Sequence, residues 1–281
     1  MNELEKKNQR IKVSKAKQSY ENYINSAEET NDYKEQKIGI WLLSHSNMLL
    51  KEKHIGVGKY ISCSEGTLVY CDFGINPGAE ISGWHFAVTL NKDDNSFNPI
   101  LTVVPLTSKN KIYYLDLSTE VYDRTIYAIT EKMKKFNTET EKLRSCMSLV
   151  EKYREVDCDP NSKEEVKSAF FLQTFKFVLH LCEIDFEDVK DNENLGNIMD
   201  ASLIKFTDMI QNFVESLREL IVIKTKYEKY KNNTYAAIPQ ITTISKLRLS
   251  VRMNKFDPIA TVQVSDIVLS KLKTECIKWI G

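Results

Sequence analysis

The residue types best suited to chemistry lie in the glycine-rich stretch 74–85 and at the end of an apolar stretch that follows it. His85 closes the first stretch, and Thr107 and Ser108 close the second. An imidazole has an unperturbed pKa of about 6.5, so it can act as a base or an acid near neutral pH. A hydroxyl can donate a hydrogen bond to an anionic group. The plainer alternatives are a half-buried loop histidine beside Trp84 and a pair of turn-forming residues.

Other chemical signatures fail on spacing. The histidines at positions 45, 54, 85 and 180 lack metal-ligand spacing, and residues 56–59 (GVGK) are too short for a phosphate-binding loop. The acidic pairs 93–94 and 157/159 are interpreted as solvated turns. We therefore expect neither a metal nor a cofactor.

Composition favours a cytoplasmic protein with no membrane span. Cysteines at 63, 71, 146, 158, 182 and 276 form no C-x-x-C pair, which favours reduced thiols. The lysine-rich start does not resemble a signal peptide, and the most apolar stretch, 169–182, is shorter than the ~20 residues that a membrane helix needs. Lys plus Arg equal Asp plus Glu at 39 each, so no overall basic field attracts nucleic acid.

The candidate residues belong to a region with the pattern of strands. Short β-branched and aromatic stretches separated by turns predict an antiparallel sheet or a small barrel. These stretches are residues 67–73, 86–90, 100–106 and 112–117, and strand-like sequence returns at 234–243 and 245–250. His85 therefore lies just before one strand, and Thr107 just after another.

Apolar residues at helical spacing predict several helices. The pattern is weak in residues 1–37, and long, heptad-spaced or strongly apolar patterns occupy 38–51, 122–150, 163–188, 203–220 and 264–280. Residues 163–188 are apolar on most faces, which predicts a central, buried helix. Ser162 followed by Glu165 fits a capping box at its start.

These patterns predict an α+β protein in which a helical segment interrupts a β-rich domain. The predicted parts are a helical extension (1–59), a β-rich domain (60–118 with 233–281) and a helical insertion (119–232). Residues 116–232 hold 18 Lys and Arg against 23 Asp and Glu, net −5, whereas residues 233–281 hold 7 against 3, net +4. This asymmetry indicates different partners for the two parts.

Three blocks of the β-rich part resemble the MazF/PemK toxin family, whose fold is CcdB-like. Residues 68–83 (LVYCDFGINPGAEISG) are similar to the family pattern V-x-V-D-x-x-P-x-x-G-S-E-Q-x-G. Residues 103–109 (VVPLTSK) are similar to V-V-x-P-[IL]-T-[ST], and residues 238–249 (IPQITTISKLRL) to L-x-Q-[IV]-R-T-[IV]-D-x-x-R-L. The blocks follow the family's order, and the N-terminal helices and residues 116–232 lie outside them.

The resemblance implies a small SH3-like or CcdB-like antiparallel β-barrel with a C-terminal helix, here interrupted by a long helical insertion and preceded by extra helices. Family members are metal-independent endoribonucleases, usually homodimers, that are neutralised by a cognate antitoxin. They cut single-stranded RNA by attack of its 2′-hydroxyl on the adjacent phosphodiester, which leaves a cyclic phosphate and a 5′-hydroxyl.

The resemblance also suggests roles for individual residues. Thr107 aligns with a catalytic threonine that donates to the phosphate, and Ser108 lies beside it. His85 stands where the family usually has arginine, so it would serve as acid or base but lacks the permanent charge and bidentate grip of arginine. Thr242 replaces a second family arginine, which removes another cation.

Six residues complete the predicted substrate site: Glu80, Ser82, Trp84, Lys109, Gln240 and Arg248. Glu80 is either an ion-paired loop residue or a carboxylate that tunes His85. Gln240 binds a base edge or Glu80, or simply lies at the edge of a ladder. Basic residues of 246–255 are expected to contact phosphates.

Two other functions stay open at this stage. The barrel could be catalytically inactive and bind a nucleic acid or a protein, or the heptad helices could make the chain an oligomeric assembly protein with the barrel as a passenger. The acidic insertion could serve as a gate, as an antitoxin-binding platform or simply as a solvated surface.

Overall fold

The computed structural model describes residues 2–26, 32–56, 58–159, 161, 163–190, 193–228 and 230–281. The chain divides into two compact units. Unit 1 comprises Met1–Glu120, Asn233–Val251 and Ile259–Gly281, and unit 2 comprises Val121–Asn232 and Arg252–Pro258. The N-terminal helices are thus grouped with the strands, and a short C-terminal segment is grouped with the helices of the insertion.

Unit 1 contains a six-stranded antiparallel sheet, which confirms the α+β class. The strand order is β1-β2-β3-β5-β4, and β6 also pairs with β3. Among the described residues, the strand pairings do not close the sheet into a ring. The strands are β1 (Leu68–Asp72), β2 (Trp84–Thr89), β3 (Ile100–Thr107), β4 (Leu115–Asp116), β5 (Tyr235–Ala236) and β6 (Thr242–Ser245).

The side of β1 that faces away from β2 meets the chain that follows β6. Lys246–Arg248 form a 3-10 helix, and Leu249 then forms an isolated bridge to Cys71. The Ser250 N–H donates to the Tyr70 carbonyl at 2.8 Å. A single bridge forms here because the 3-10 turn interrupts the extended backbone that a ladder requires.

One face of the sheet carries a buried core. Because strand side chains alternate between faces, residues two apart share a face. By this alternation, His85 lies on the same face as Ala87, and Thr107 on the same face as Val103. The core consists of Cys63, Val69, Cys71, Phe73, Ala87, Leu101, Val103 and Ile244.

Among its described residues, unit 1 contains three α-helices besides the first residue of α3. Helix α1 (Glu3–Asn25) begins with a capping box at Asn2 and buries none of its described residues. Helix α2 (Tyr33–Glu52) is longer than its predicted range and buries Ile38. Helix α7 (Asp266–Ile280), the predicted amphipathic C-terminal helix, buries Leu272 and Cys276.

Unit 2 is helical and contains α3 (Glu120–Cys158, whose first residue lies in unit 1), α4 (Glu164–Leu181), α5 (Phe186–Val189) and α6 (Leu195–Glu228). The predicted helix 163–188 is therefore two helices. It is not buried on most faces either, because Phe171 and Leu172 are each 40% exposed. Lys163 is the N-cap of α4 and forms no side-chain cap bond, while Ser162 of the predicted capping box lies outside the described residues.

A buried carboxylate anchors Arg252–Pro258 within unit 2. Asp257 is fully buried and accepts hydrogen bonds from the Tyr227 hydroxyl at 2.7 Å and from Lys226 Nζ at 3.0 Å. The Met253 N–H donates to the same carboxylate at 3.1 Å. This segment is therefore part of the hydrogen-bonded interior of the unit.

The predicted strands at 112–117, 234–243 and 245–250 are shorter than expected, and the last contains the 3-10 helix Lys246–Arg248. Residues 112–117 contribute only β4, since Tyr113 has a φ of 65°, outside the extended region. Residues 234–243 form β5, then the 3-10 helix Ile238–Gln240, then β6. Pro239 cannot donate to a ladder, which is why the extended backbone breaks there.

The described cysteines 63, 71, 158, 182 and 276 are free thiols. No group of His, Cys, Asp or Glu within the described ranges has the arrangement of a metal site. None of the described helices combines the length and the apolarity that crossing a membrane would require.

Candidate functional site

Loop 74–83 and the chain around β6 enclose a groove of about 1010 Å³ within unit 1. One wall is the loop, and the other runs along the 3-10 helix Ile238–Gln240 and β6. The only charged side chains among the lining residues described are Glu80 and Arg248. The lining consists of Phe73, Asn76, Pro77, Gly78, Ala79, Glu80, Ile81, Pro239, Gln240, Ile241, Thr242, Thr243, Ile244, Ser245 and Arg248.

Asn76 gives the loop its shape. Its Nδ2 donates to the Phe73 carbonyl at 2.9 Å and to the Ile81 carbonyl at 2.7 Å, while its backbone N–H donates to Ser82 Oγ at 3.0 Å. The loop is therefore held closed by its own polar groups. Asn76 was not among the residues predicted from the sequence, although asparagine in a Gly- and Pro-rich stretch is a common turn signal.

Gln240 joins the two walls of the groove. Its Oε1 accepts from the Ile81 N–H at 2.5 Å, and its Nε2 donates to the Ala79 carbonyl at 3.0 Å and the Tyr114 hydroxyl at 3.3 Å. Binding to Glu80 and a ladder-edge position were therefore wrong predictions. Because its amide is committed to the loop backbone, Gln240 positions the groove wall.

Both ring nitrogens of His85 face backbone carbonyl oxygens. Nδ1 lies 3.0 Å from the Leu106 oxygen, and Nε2 lies 3.2 Å from the Ser82 oxygen. A carbonyl oxygen only accepts, so a neutral imidazole can donate to one of them. We assign the proton to Nδ1, which makes the shorter contact, so the lone pair of Nε2 points at the Ser82 carbonyl.

Burial lowers the pKa of His85, because the imidazolium would lose water in this half-buried position. The hydrogen bonds to the Leu106 and Ser82 carbonyls raise the pKa, and the positive charge of Lys109 lowers it, with a net lowering. The neutral imidazole, which a general base requires, is therefore favoured. Glu80 is not among the groups that shift this pKa, so its predicted tuning role is not supported.

The contact between His85 Nδ1 and the Leu106 carbonyl places His85 near the end of β3, where Thr107 follows. The β2–β3 ladder ends at the pair Ala87–Pro105, two residues short of His85 and Thr107. Within the sheet His85 pairs with Cys71 of β1, and Thr107 pairs with Tyr235 of β5. Thr107 Oγ1 accepts from the Lys109 N–H at 3.2 Å, while Ser108 and Lys109 are exposed at the strand end. Three groups that can donate hydrogen bonds, those of Thr107, Ser108 and Lys109, therefore follow Leu106 in the chain.

The groove and these strand ends are adjacent but distinct. Phe73 lines the groove, and its ring meets the His85 ring edge-on at a centroid distance of 6.3 Å. His85 and Thr107 themselves do not line the groove. His85 therefore lies one side chain behind the groove wall.

Three other predicted binding residues have separate environments. Glu80 is exposed, lines the groove and forms no ion pair with any described residue. The Ser82 hydroxyl accepts the Asn76 N–H inside the loop. Trp84 is 43% exposed and stacks on Tyr70 at a centroid distance of 5.4 Å, which leaves part of its ring open to a stacking partner.

Several basic side chains that were expected to contact phosphates bind other groups of the protein instead. Lys246 is buried and paired with Asp94, and Lys255 donates to the Ser216 hydroxyl at 2.8 Å within unit 2. Arg248 donates from Nη1 to the Phe73 carbonyl at 3.2 Å, although it still lines the groove. The prediction that residues 246–255 form a basic phosphate-binding strip was wrong for Lys246, whose side chain is 1% exposed.

Helix α2 contributes side chains to this site that the sequence did not indicate. Trp41 lies against Gly74, and Tyr33 lies against Gly83, at the two ends of the loop. The glycines themselves were the available signal, since a glycine permits close approach of another group to the backbone.

Comparison with models of protein families found no match, and comparison with curated proteins found none either.

Proposed function

We propose that this chain is a metal-independent endoribonuclease of the MazF/PemK type that cuts single-stranded RNA at the ends of β2 and β3. The observation that carries the proposal is the contact of His85 Nδ1 with the carbonyl of Leu106, the residue before Thr107, next to an open groove. An imidazole and a hydroxyl in such an arrangement are the groups that RNA transesterification needs.

In the proposed reaction His85 Nε2 accepts the proton of the RNA 2′-hydroxyl. The 2′-oxygen then forms a bond to phosphorus while the bond from phosphorus to the 5′-oxygen breaks, and the leaving oxygen takes a proton from the imidazolium. Thr107, Ser108 and Lys109 donate to the phosphate oxygens as charge develops on them. The products are a 2′,3′-cyclic phosphate and a 5′-hydroxyl.

We also infer that the sheet of unit 1 forms a small closed barrel, as in the toxin family. The bridge between Leu249 and Cys71 and the hydrogen bond from Ser250 to Tyr70 support closure, since they join the chain after β6 to β1. A homodimer, a cognate antitoxin and a cytoplasmic location are part of the same proposal. A gating or antitoxin-binding role of the acidic insertion stays a prediction.

The proposal is tested by incubating the full chain with single-stranded RNA in EDTA and mapping the ends. We expect cyclic-phosphate and 5′-hydroxyl termini, and His85→Ala should lower the cleavage rate by about 10²–10⁴-fold. His54→Ala is the matched control, because His54 is exposed in the connector after α2. Equal cleavage by His85→Ala and the parent, or loss of cleavage in EDTA, contradicts the proposal.

A binding protein without cleavage is the second candidate. It is favoured by the two carbonyl oxygens that occupy both nitrogens of His85, and by Thr242, which offers no cation where the family has one. RNA binding that leaves the RNA intact supports this candidate against the first.

A further inference from the structure

Two aromatic side chains of α2 rest on the two glycines that close loop 74–83. The Gly83 N–H donates to the Gly74 carbonyl at 2.7 Å, and φ is +83° at Gly74 and +85° at Gly83. A Cβ on Gly74 would lie 2.7 Å from Trp41 Nε1, and one on Gly83 would lie 2.1 Å from the Tyr33 hydroxyl oxygen. Only glycine permits both this backbone and this approach.

The environment of the Tyr33 hydroxyl agrees with this position. Loss of water around the hydroxyl raises the pKa of Tyr33, and the carboxylate of Asp72 raises it further. Asp72 itself accepts the Gly74 N–H at 2.9 Å. The hydroxyl therefore lies at the hydrogen-bonded base of the loop.

A third contact reaches the tip of the same loop. Lys34 Nζ donates to the Gly78 carbonyl at 3.0 Å. Neighbouring residues Tyr33 and Lys34 thus hold the loop at its base and its tip, and Trp41 holds the other side of the base. The helix has contacts with both ends and the middle of the loop.

Ser82, immediately before Gly83, carries the carbonyl that covers His85. Its oxygen lies 3.2 Å from Nε2, so the position of the Ser82–Gly83 peptide decides whether Nε2 can meet another hydroxyl. The Leu106 carbonyl, which lies on β3, holds only Nδ1. One nitrogen is therefore held by the sheet and the other by the loop that α2 contacts.

We propose that α2 is a reversible latch, in which Tyr33 and Trp41 keep the Ser82 carbonyl over His85 Nε2 and release of the helix uncovers it. The structural part of the proposal rests on the contacts of Tyr33 and Trp41 with Gly83 and Gly74, which add to the hydrogen bonds that Asn76 and Gln240 make with the loop. The effect of the uncovering on cleavage rests on the proposed function.

Few described side chains of α2 are fully buried. Ile38 is the only buried residue described in α2, and Tyr33 is 45% exposed although its hydroxyl touches Gly83. Elements with little buried apolar surface open at low free-energy cost. The described state is then the closed state of a local equilibrium.

The test measures how fast diethyl pyrocarbonate modifies His85 in the full chain, with the modified histidines located by mass spectrometry and exposed His54 as internal reference. Tyr33→Ala should raise the His85 rate about tenfold, as expected for an eased local opening. Tyr33→Phe should stay near the parent rate, because it keeps the ring, whose Cζ lies 2.8 Å from the Gly83 Cβ position. Ile40→Ala on the same helix, where Ile40 is 65% exposed, is the matched control and should not change the rate.

Lys34→Met provides a second variant should Tyr33→Ala fail to fold. Because this change removes only the contact at the loop tip, we expect a smaller rise in the rate at which His85 is modified. Parent-like His85 rates in both variants overturn the latch. RNA cleavage is measured in the same samples. A higher His85 rate without any cleavage supports the latch and contradicts the proposed endoribonuclease, whereas cleavage with unchanged His85 rates supports the enzyme and contradicts the latch.

Discussion

The ammonium nitrogen of Lys246 lies 2.7 Å from Oδ2 of Asp94, and the two side chains are 1% and 0% exposed. Lys246 Nζ also donates to the Asn95 carbonyl at 2.9 Å, and Asp94 accepts the Cys63 N–H at 2.8 Å. The pair therefore ties the turn between β2 and β3 to the chain after β6. Interpreting Asp94 as part of a solvated turn was wrong, because its carboxylate is fully enclosed by donors.

Breaking this pair should be costly. Lys246→Met leaves a buried carboxylate without its cation, so we expect the free energy of unfolding to fall by about 3–5 kcal/mol in urea denaturation. The matched control is Lys273→Met, which removes the more exposed pair with Glu65 and should cost less than about 1 kcal/mol. Similar losses in the two variants contradict a buried role for Lys246.

Gln240 should control the stability of the groove wall. Gln240→Ala removes the acceptor of the Ile81 N–H and the donor to Ala79, so we expect a loss of about 1–3 kcal/mol and faster hydrogen exchange at the Ile81 amide. Exchange is measured by NMR on the full chain. Gln18→Ala, on exposed α1, is the control. An unchanged Ile81 exchange rate in Gln240→Ala contradicts the proposed role of Gln240 in holding the groove wall.

His85 should make the stability of the protein depend on pH. Its pKa is lowered in the folded state, so the unfolded chain binds more protons below about pH 6.5 and the free energy of unfolding falls as pH falls through the folded pKa. Above about pH 6.5 this contribution is fully present. His85→Asn should flatten the slope in denaturation series between neutral and acidic pH, while His54→Asn should keep it. If the free energy of unfolding has the same dependence on pH in the parent and in His85→Asn, this prediction is wrong.

The Tyr227 hydroxyl should stabilise unit 2. Tyr227→Phe leaves the buried Asp257 with one donor fewer, so we expect the free energy of unfolding to fall by about 1–3 kcal/mol. Tyr127→Phe, at a position 63% exposed on α3, is the control and should have little effect. If thermal denaturation gives the same midpoint for both variants, the anchoring role of Asp257 is wrong.

Local pattern alone predicted most of the elements. β1, β2 and β3 follow from short β-branched stretches between turns, and α2, α3, α6 and α7 from apolar spacing, because both signals depend on residues a few positions apart. The pattern was misleading at 112–117 and 234–243. There a positive φ at Tyr113 and the missing N–H of Pro239 outweighed the β propensity.

The state of the candidate site was decided by tertiary structure. The sequence determined that an imidazole and a hydroxyl lie at strand ends, and hence that they can share a face. It did not determine that carbonyls of Ser82 and Leu106 meet both ring nitrogens, or that Lys246 pairs with Asp94, 152 positions away. Such contacts depend on which distant segments fold against each other, and burial then turns an apparent phosphate-binding lysine into an internal ion pair.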